Sequence, residues 1–199
     1  FGGRALVHAD AEASVFANVI VGGRITTAPP DDPGGTGGLV QVNGGIQDVH
    51  IEGNVEVLGG NVAGTIQNNG TVNQNGGGIV GVSGIASLEG TGEWRLHPSR
   101  VLRIASTTGG SALLFNRADH TIAGRGLIAL EAGTLLNEGT INADQANLII
   151  RRNLGTLIQR GTLRSEQNGT LVVLDGDGSD FVNEGRIEAF GNTFVVQDA

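Results

Sequence analysis

The sequence contains no cysteine, methionine, tyrosine or lysine, and these absences exclude several kinds of chemistry. Without cysteine there can be no disulfide and no thiolate metal site. Because all 12 basic residues are arginine, a lysine Schiff base, a P-loop lysine and a lysine–asparagine isopeptide bond are excluded as well. A chain that begins at Phe1 and has no methionine is expected to be a processed or excerpted segment of a longer product.

Basic charge and long apolar runs are also scarce. The formal net charge of the 199 residues is −8, which argues against a nucleic-acid partner or an anionic membrane surface, since both attract basic patches. No run of 18 apolar residues is present, so no membrane-spanning helix is predicted. The aromatic residues are six Phe and one Trp, whereas glycine reaches 35. With 39% hydrophobic residues the chain can still bury a core of small and branched aliphatic side chains.

An internal repeat of about 22 residues is the strongest signal in the sequence. Similar heptapeptides begin at Leu135, Leu157 and Phe181, so the same pattern returns once in each repeat. A second series begins at Asn147, Thr170 and Thr193 and returns with the same period. Each repeat holds three short apolar runs that are interrupted by Gly, Asn or Asp, a pattern typical of β-strands.

Three strands in each repeat predict an all-β fold, a right-handed parallel β-helix (β-solenoid). We expect about seven rungs in residues 39–199, and in residues 1–38 an irregular N-terminal rung with a protruding Pro/Gly loop at 27–35. Stacked rungs place equivalent residues about 4.8 Å apart. No capping helix is visible, so we expect either a longer solenoid or rungs that stack head to tail.

Two columns of polar residues are predicted to run from rung to rung. An amide ladder, whose side chains hydrogen-bond in register, comprises Asn68, Asn116, Asn137, Gln159 and Asn183, with Gly90 in the same column. The next column alternates in charge, which favours one register: Arg117, Glu138, Arg160 and Glu184. The glycines that follow are expected to adopt positive φ at a bend: Gly70, Gly92, Gly139, Gly161 and Gly185.

The third strand of each rung is apolar on both sides, which is unusual for a strand that has one face in water. One side is predicted to carry Leu127, Leu148, Leu171 and Phe194. The other side is either covered by a loop or is a lateral interface, and it is predicted to comprise Ile128, Ile149, Val172 and Val195.

Few residues suggest a metal site or catalysis. Asp175, Asp177 and Asp180 alternate with glycine as in a calcium loop, but the closing glutamate of an EF-hand is absent, so an ordinary acidic turn is favoured. The histidines lack metal-ligand spacing and are interpreted as surface or turn residues: His8, His50, His97 and His120. A polysaccharide-degrading β-helix would need acidic and basic catalytic groups clustered on one face, and the sequence does not assign its candidates to one face. These candidates are Glu52, Glu56, Glu89, Glu93, Arg95 and Arg103. Trp94 is predicted to lie in the core and not in a sugar groove.

The repeated Asn-Glu-Gly-Thr-Ile and Gly-Thr-Leu-Val-Val patterns resemble those of large secreted bacterial β-helix proteins, the autotransporter passengers and filamentous-haemagglutinin-like adhesins. The resemblance covers about residues 40–199. It implies an extracellular or cell-surface location and a role in adhesion or in building a surface fibre or sheath. From the residues themselves we expect a non-catalytic protein whose partner is the chain itself or the rest of a longer solenoid, with no cofactor other than the calcium candidate. The alternative is a glycan-binding or polysaccharide-degrading module on the same scaffold.

Overall fold

The structure is a computed structural model that describes residues 6–9, 14–17, 19–27, 38–76, 78–105, 111–174, 180–190 and 194–197. These residues form strands, turns and bends and no helix. The strands are β1 Leu6–Ala9, β2 Ser14–Ala17, β3 Ile20–Val21, β4 Arg24–Thr27, β5 Leu39–Val42, β6 Gly45–Glu52, β7 Asn54–Val57, β8 Gly60–Asn68, β9 Thr71–Gln74, β10 Ile79–Glu89, β11 Glu93–Leu96, β12 Val101–Ala105, β13 Ala112–Asn116, β14 Thr121–Glu131, β15 Gly133–Asn137, β16 Thr140–Asn153, β17 Thr156–Gln159, β18 Thr162–Ser165, β19 Thr170–Leu174, β20 Asp180–Asn183, β21 Arg186–Ala189 and β22 Phe194–Gln197.

All pairings between named strands are parallel, and they stack the strands into three faces. Face A contains β3, β12, β19, β22 and segments 45–47, 60–63, 79–82, 126–131 and 147–153. Face B contains β1, β4, β13, β15, β17, β20 and segments 49–52, 64–68 and 85–89. Face C contains β2, β5, β7, β9, β11, β18, β21 and segments 121–124 and 140–143. The predicted parallel β-solenoid with three strands per rung is therefore confirmed, whereas its right-handed winding stays a prediction favoured by the usual hand of parallel crossovers.

The rungs repeat with the predicted average length but vary individually. On face C, one column of register partners leads from Val40 to Ile187 in seven turns, which agrees with the period of the sequence repeat. The shortest of these turns runs from Val40 to Val55, and the longest runs from Trp94 to Ile122. The parallel register on face C is kept despite these differences in length.

The stack also includes strands from residues 1–38. β1 pairs with β4, β4 and β3 pair with β6, and β2 pairs with β5, all in parallel. The solenoid therefore begins before residue 39. Residues 28–37, which hold most of the predicted Pro/Gly loop, lie outside the described residues.

The core is a set of apolar columns inside the three faces. On face C one inner column carries a β-branched, leucine or tryptophan side chain in six consecutive rungs, and each of these side chains is fully buried: Val55, Val72, Trp94, Ile122, Ile141 and Leu163. Burying one such aliphatic side chain stabilises the fold by about 1.5–3 kcal/mol. The prediction that Trp94 belongs to the core is confirmed, and its indole Nε1 donates to Gln74 Oε1 at 3.3 Å.

The corner between face A and face B is turned by one residue with positive φ in most of the described rungs. These residues are Asp48, Gly64, Gly84, Ala132 and Leu154, with φ of 51°, 65°, 79°, 56° and 58°. Glycine adopts this conformation without strain and Asp or Asn tolerates it, so Ala132 and Leu154 are the residues that store conformational energy here.

The glycines that follow the amide column have a different structural role from the positive φ that was expected. Gly70, Gly92, Gly139, Gly161 and Gly185 do not have positive φ, so that prediction is wrong. Instead, a Cβ on each of them would lie 2.0–2.4 Å from a backbone carbonyl oxygen of the preceding rung. These positions require glycine because successive backbones approach too closely to leave room for a side chain.

Candidate functional site

A buried chain of amide hydrogen bonds links successive rungs at the end of face B. Asn116, Asn137, Gln159 and Asn183 are register partners. Asn116 Nδ2 donates to Asn137 Oδ1 at 2.6 Å, and Asn137 Nδ2 donates to Gln159 Oε1 at 2.7 Å. The first three side chains are fully buried, whereas Asn183, in the last described rung, is exposed. The amide ladder predicted from the sequence thus exists as side-chain hydrogen bonds from Asn116 to Gln159.

Asn68 joins this ladder in a way that the repeat did not indicate. In register, Asn116 pairs with Leu88 and Leu88 pairs with Ile66, so Asn68 lies two positions away from the predicted column. Its Nδ2 lies 3.2 Å from Nε2 of His120, and Nδ1 of His120 lies 2.7 Å from Oδ1 of Asn116. The imidazole, which belongs to the long turn that ends at Ile122, therefore bridges the gap between the two asparagines.

His120 is fully buried, so it is not a surface residue, but it does close a turn, since its backbone N–H donates to the carbonyl oxygen of Arg117 at 3.2 Å. Because the Asn68 amide nitrogen can only donate, Nε2 of His120 accepts and Nδ1 carries the proton that is donated to Asn116. Burial lowers the pKa of His120 to about 4, so the ring is neutral at pH 7. The ladder is then a chain of hydrogen bonds in which each side chain donates to the next one along. Hydrogen bonds in such a chain strengthen one another. Its members, in order, are Asn68, His120, Asn116, Asn137 and Gln159.

The charged column next to the ladder forms ion pairs between rungs. Arg117 Nη1 lies 3.0 Å from Glu138 Oε2, and Arg160 Nε lies 2.9 Å from Glu184 Oε2. All four side chains are at least 32% exposed, so each pair contributes at most about 1 kcal/mol. The alternation of sign predicted from the sequence therefore serves register more than stability.

Face A carries an apolar stripe on its outer side. Register partners along this stripe, which we call stripe A, are Ile79, Val101, Leu127, Ile149, Val172 and Val195. Ile79 is 51% exposed and the other five are partly exposed. Of the predicted interface residues, Ile149, Val172 and Val195 belong to this stripe. Ile128 does not, because it is fully buried and pairs with Ile150; the one-residue shift arises from the irregularity between Gly124 and Gly126.

Face B carries a second outer apolar stripe that the sequence reasoning missed. Stripe B comprises the register partners Phe115, Leu136, Ile158 and Val182, of which Val182 is 42% exposed and the others are partly exposed. The signal was present, since Leu135-Leu136 and Leu157-Ile158 are consecutive apolar pairs in a strand, and one member of each pair must point outward.

Face C has a polar outer side, as expected of a strand with one face in water. Arg95 Nε lies 2.6 Å from Glu93 Oε1, and its Nη2 lies 2.8 Å from Asp144 Oδ2. Burial alone would lower the pKa of Arg95, but the hydrogen bonds to Asp144 and Glu93 outweigh it and raise the pKa above its usual value. The polar groups of face C are thus engaged mainly with one another.

The candidate catalytic groups are distributed over all three faces. Arg103 lies on face A with Glu131 as its partner, and Glu52 and Glu89 lie on face B, where they pair with Arg24 and with Ser87. Face C holds Glu93, Arg95 and Glu56, of which Glu56 accepts from Gln41. The structure does not bring these groups together in one cleft.

The calcium prediction falls mostly on residues that are not described. Asp175 and Asp177 lie outside the described residues, and Asp180 is an exposed residue at the start of β20. Within the described part of the chain, no group of three His, Asp or Glu side chains is placed to hold a metal ion.

Comparison with protein-family models, with curated proteins and with solved structures gives no match. Among the described residues there is no helix long and apolar enough to cross a membrane. The class of protein is therefore defined by the fold alone, a parallel β-solenoid.

Proposed function

We propose that this chain is a non-catalytic, extracellular structural protein: a solenoid segment or subunit of a surface fibre, sheath or adhesin that assembles by lateral contacts and by end stacking. The observation that carries this proposal is the presence of outer apolar stripes on two of the three faces. An all-polar outer surface, like that of face C, would satisfy the fold equally well, so apolar stripes on faces A and B call for another explanation.

Lateral contact is supported by the length of stripe A. Six consecutive rungs at about 4.8 Å per rung make stripe A about 24 Å long. Continuous exposed apolar patches of this kind mark interaction surfaces on soluble proteins. Stripes of aliphatic side chains on parallel rods can meet along their whole length, which suits a sheath or a bundle.

End stacking is supported by the last described rung. Ile187 and Val196 continue the inner columns of Leu163 and Val173, yet they are 38% and 49% exposed. A further rung placed on this end, from the same polypeptide or from another copy, would bury both side chains and pair the free backbone groups of β20 to β22.

A glycan-binding or polysaccharide-degrading module remains the alternative function. Sugar grooves on β-helices usually combine acids with exposed aromatic rings, whereas Trp94 is fully buried and the candidate acids lie on different faces. This distribution favours the structural proposal.

The direct test is sedimentation velocity and negative-stain electron microscopy over a range of concentrations, comparing the wild type with Ile149→Asp on stripe A and Leu136→Asp on stripe B. We expect the wild type to associate and each variant to associate less, because a carboxylate in an apolar contact must be desolvated. Thr162→Asp on polar face C is the matched control and is expected to behave as the wild type.

Equal association of all four proteins would refute the lateral part of the proposal. Circular dichroism of each variant checks that the fold is kept, since all three substitutions are at outward positions. End stacking is tested in the same images: fibres of one solenoid width that persist in both stripe variants support it, and short rods in every condition contradict it.

A further inference from the structure

A cleft on face A lies beside stripe A and has a mixed lining. It has a volume of about 580 Å³, within the range of small-molecule sites. Its floor is made of Val101, Leu127 and Ile149, the central part of stripe A. Its rim is made by the corners of three successive rungs, and Arg100 and Arg125 lie in that rim.

The two rim arginines have no partner for part of their guanidinium groups. The Nε atoms of Arg100 and Arg125 are buried and lack a hydrogen-bond acceptor in the described part of the chain. Neither side chain takes part in an ion pair with another described residue. The Nη groups of both arginines also lack a hydrogen-bond or ion-pair partner among the described residues, and unlike the buried Nε atoms they can be reached by an anionic oxygen in the cleft.

The surroundings of the cleft are positive although the chain as a whole is acidic. Arg95 is neutralised by Glu93 and Asp144, which leaves Arg100 and Arg125 as the uncompensated charges near His97. Besides desolvation, the charges of Arg95, Arg125 and Arg100 lower the pKa of His97, and Glu56 is the acid that opposes them. An anion that enters the cleft therefore meets a local positive potential.

We propose that this cleft binds an amphiphilic monocarboxylate of the fatty-acid type. Its carboxylate accepts hydrogen bonds from Arg100 and Arg125, and its aliphatic chain lies on Val101, Leu127 and Ile149. The aliphatic floor distinguishes this class from inorganic anions, which would gain nothing from the stripe. It also distinguishes the class from sugar acids, whose hydroxyl groups would lose hydrogen bonds against these side chains.

The experiment is an NMR titration of the ¹⁵N-labelled protein with octanoate, with acetate and with 1-octanol. Because the cleft floor belongs to stripe A, the titration is run at a concentration at which the protein sediments as a monomer. Octanoate is expected to shift the amides of residues 99–101, 125–127 and 146–149 and to bind at least about tenfold more tightly than either other probe, since each of them lacks one half of the interaction.

Arg100→Gln combined with Arg125→Gln is expected to weaken octanoate binding by at least about tenfold and to leave octanol binding unchanged. Arg151→Gln, on the same face but outside the cleft, is the matched control and should bind as the wild type. Three results would overturn the proposal: octanol binding as tightly as octanoate, the double variant binding octanoate as tightly as the control, or shifts confined to other faces. None of these results depends on whether the chain assembles into fibres.

Discussion

Replacing Asn137 with leucine removes the central member of the buried amide ladder while keeping the branching and the number of heavy atoms of the side chain. The Asn137 amide accepts from Asn116 and donates to Gln159 Oε1 at 2.7 Å, with longer contacts to the carbonyl oxygens of Gly139 and Thr162 at 3.2 and 3.4 Å. In the variant, Gln159 Oε1 loses its donor, while Asn116 Nδ2 keeps the carbonyl oxygen of Thr140 at 3.2 Å.

A buried polar group left unsatisfied costs about 1–3 kcal/mol, and Gln159 Oε1 is the group that loses its donor, so Asn137→Leu is expected to lower the free energy of unfolding by about 1–3 kcal/mol. The control is Asn183→Leu, one of the ladder's register partners in the exposed last rung, where the loss of the 3.3 Å hydrogen bond from Gly185 N should cost less than about 1 kcal/mol. Urea unfolding, followed by circular dichroism, measures both. The reasoning is refuted if the two variants lose the same stability or if Asn137→Leu is the more stable one.

Three further perturbations test other parts of the structure. Gly161→Ala places a Cβ 2.0 Å from a backbone oxygen and should cost about 2–4 kcal/mol in urea unfolding, whereas Gly59→Ala, whose nearest contact is 3.6 Å, should cost less than about 1 kcal/mol; equal losses would contradict the close-approach explanation. The folded pKa of His120, about 4, lies below the ordinary 6.5, so the unfolded chain takes up the proton first: stability is complete above pH 6.5 and falls by up to about 3 kcal/mol as the pH drops towards 4. A His120→Gln variant with the same pH dependence as the wild type would refute that assignment. Leu154→Asn replaces a leucine that has a positive φ of 58° and is 66% exposed by a residue that tolerates this conformation. It should raise the free energy of unfolding by about 0.5–1 kcal/mol and so raise the urea midpoint; a lower midpoint would count against stored strain at this corner.

The repeat made the fold predictable because every rung of a solenoid needs inward apolar residues and corner residues at equivalent positions. The heptapeptides at 135, 157 and 181 share one pattern, and their strands are register partners in the structure. The same regularity predicted the amide and charge columns from residue 116 onward, where the turn length is nearly constant.

The predictions failed where the turn length changes. The long turn before Ile122 displaced Asn68 from the predicted column and created the space that His120 fills. The irregularity at Gly124–Gly126 shifted the stripe from Ile128 to its neighbour Leu127. A single sequence shows the period but not the corner at which extra residues are accommodated, and a shift of one residue exchanges the two sides of a strand.

The cleft was beyond sequence reasoning for a related reason. Arg100 and Arg125 are separated by a little more than one rung of sequence, but both lie in corners, where the repeat carries no side-chain pattern. Only the assembled corners show that the two side chains share a rim and that their neighbours leave them without acceptors.

The register of the stack is the central claim, since the columns, stripes and cleft all depend on it. Because the chain has no cysteine, a double variant with cysteine at Thr140 and Thr162, register partners on adjacent rungs of face C, gives an unambiguous reading under mild oxidation. With Cα atoms about 4.8 Å apart the pair should form an intramolecular disulfide, whereas cysteines at Thr140 and Arg164, offset along the strand to about 8 Å, should not. Mass spectrometry of the oxidised proteins decides: a disulfide in the first variant alone supports the register, and its formation only in the offset variant, or in neither, contradicts it.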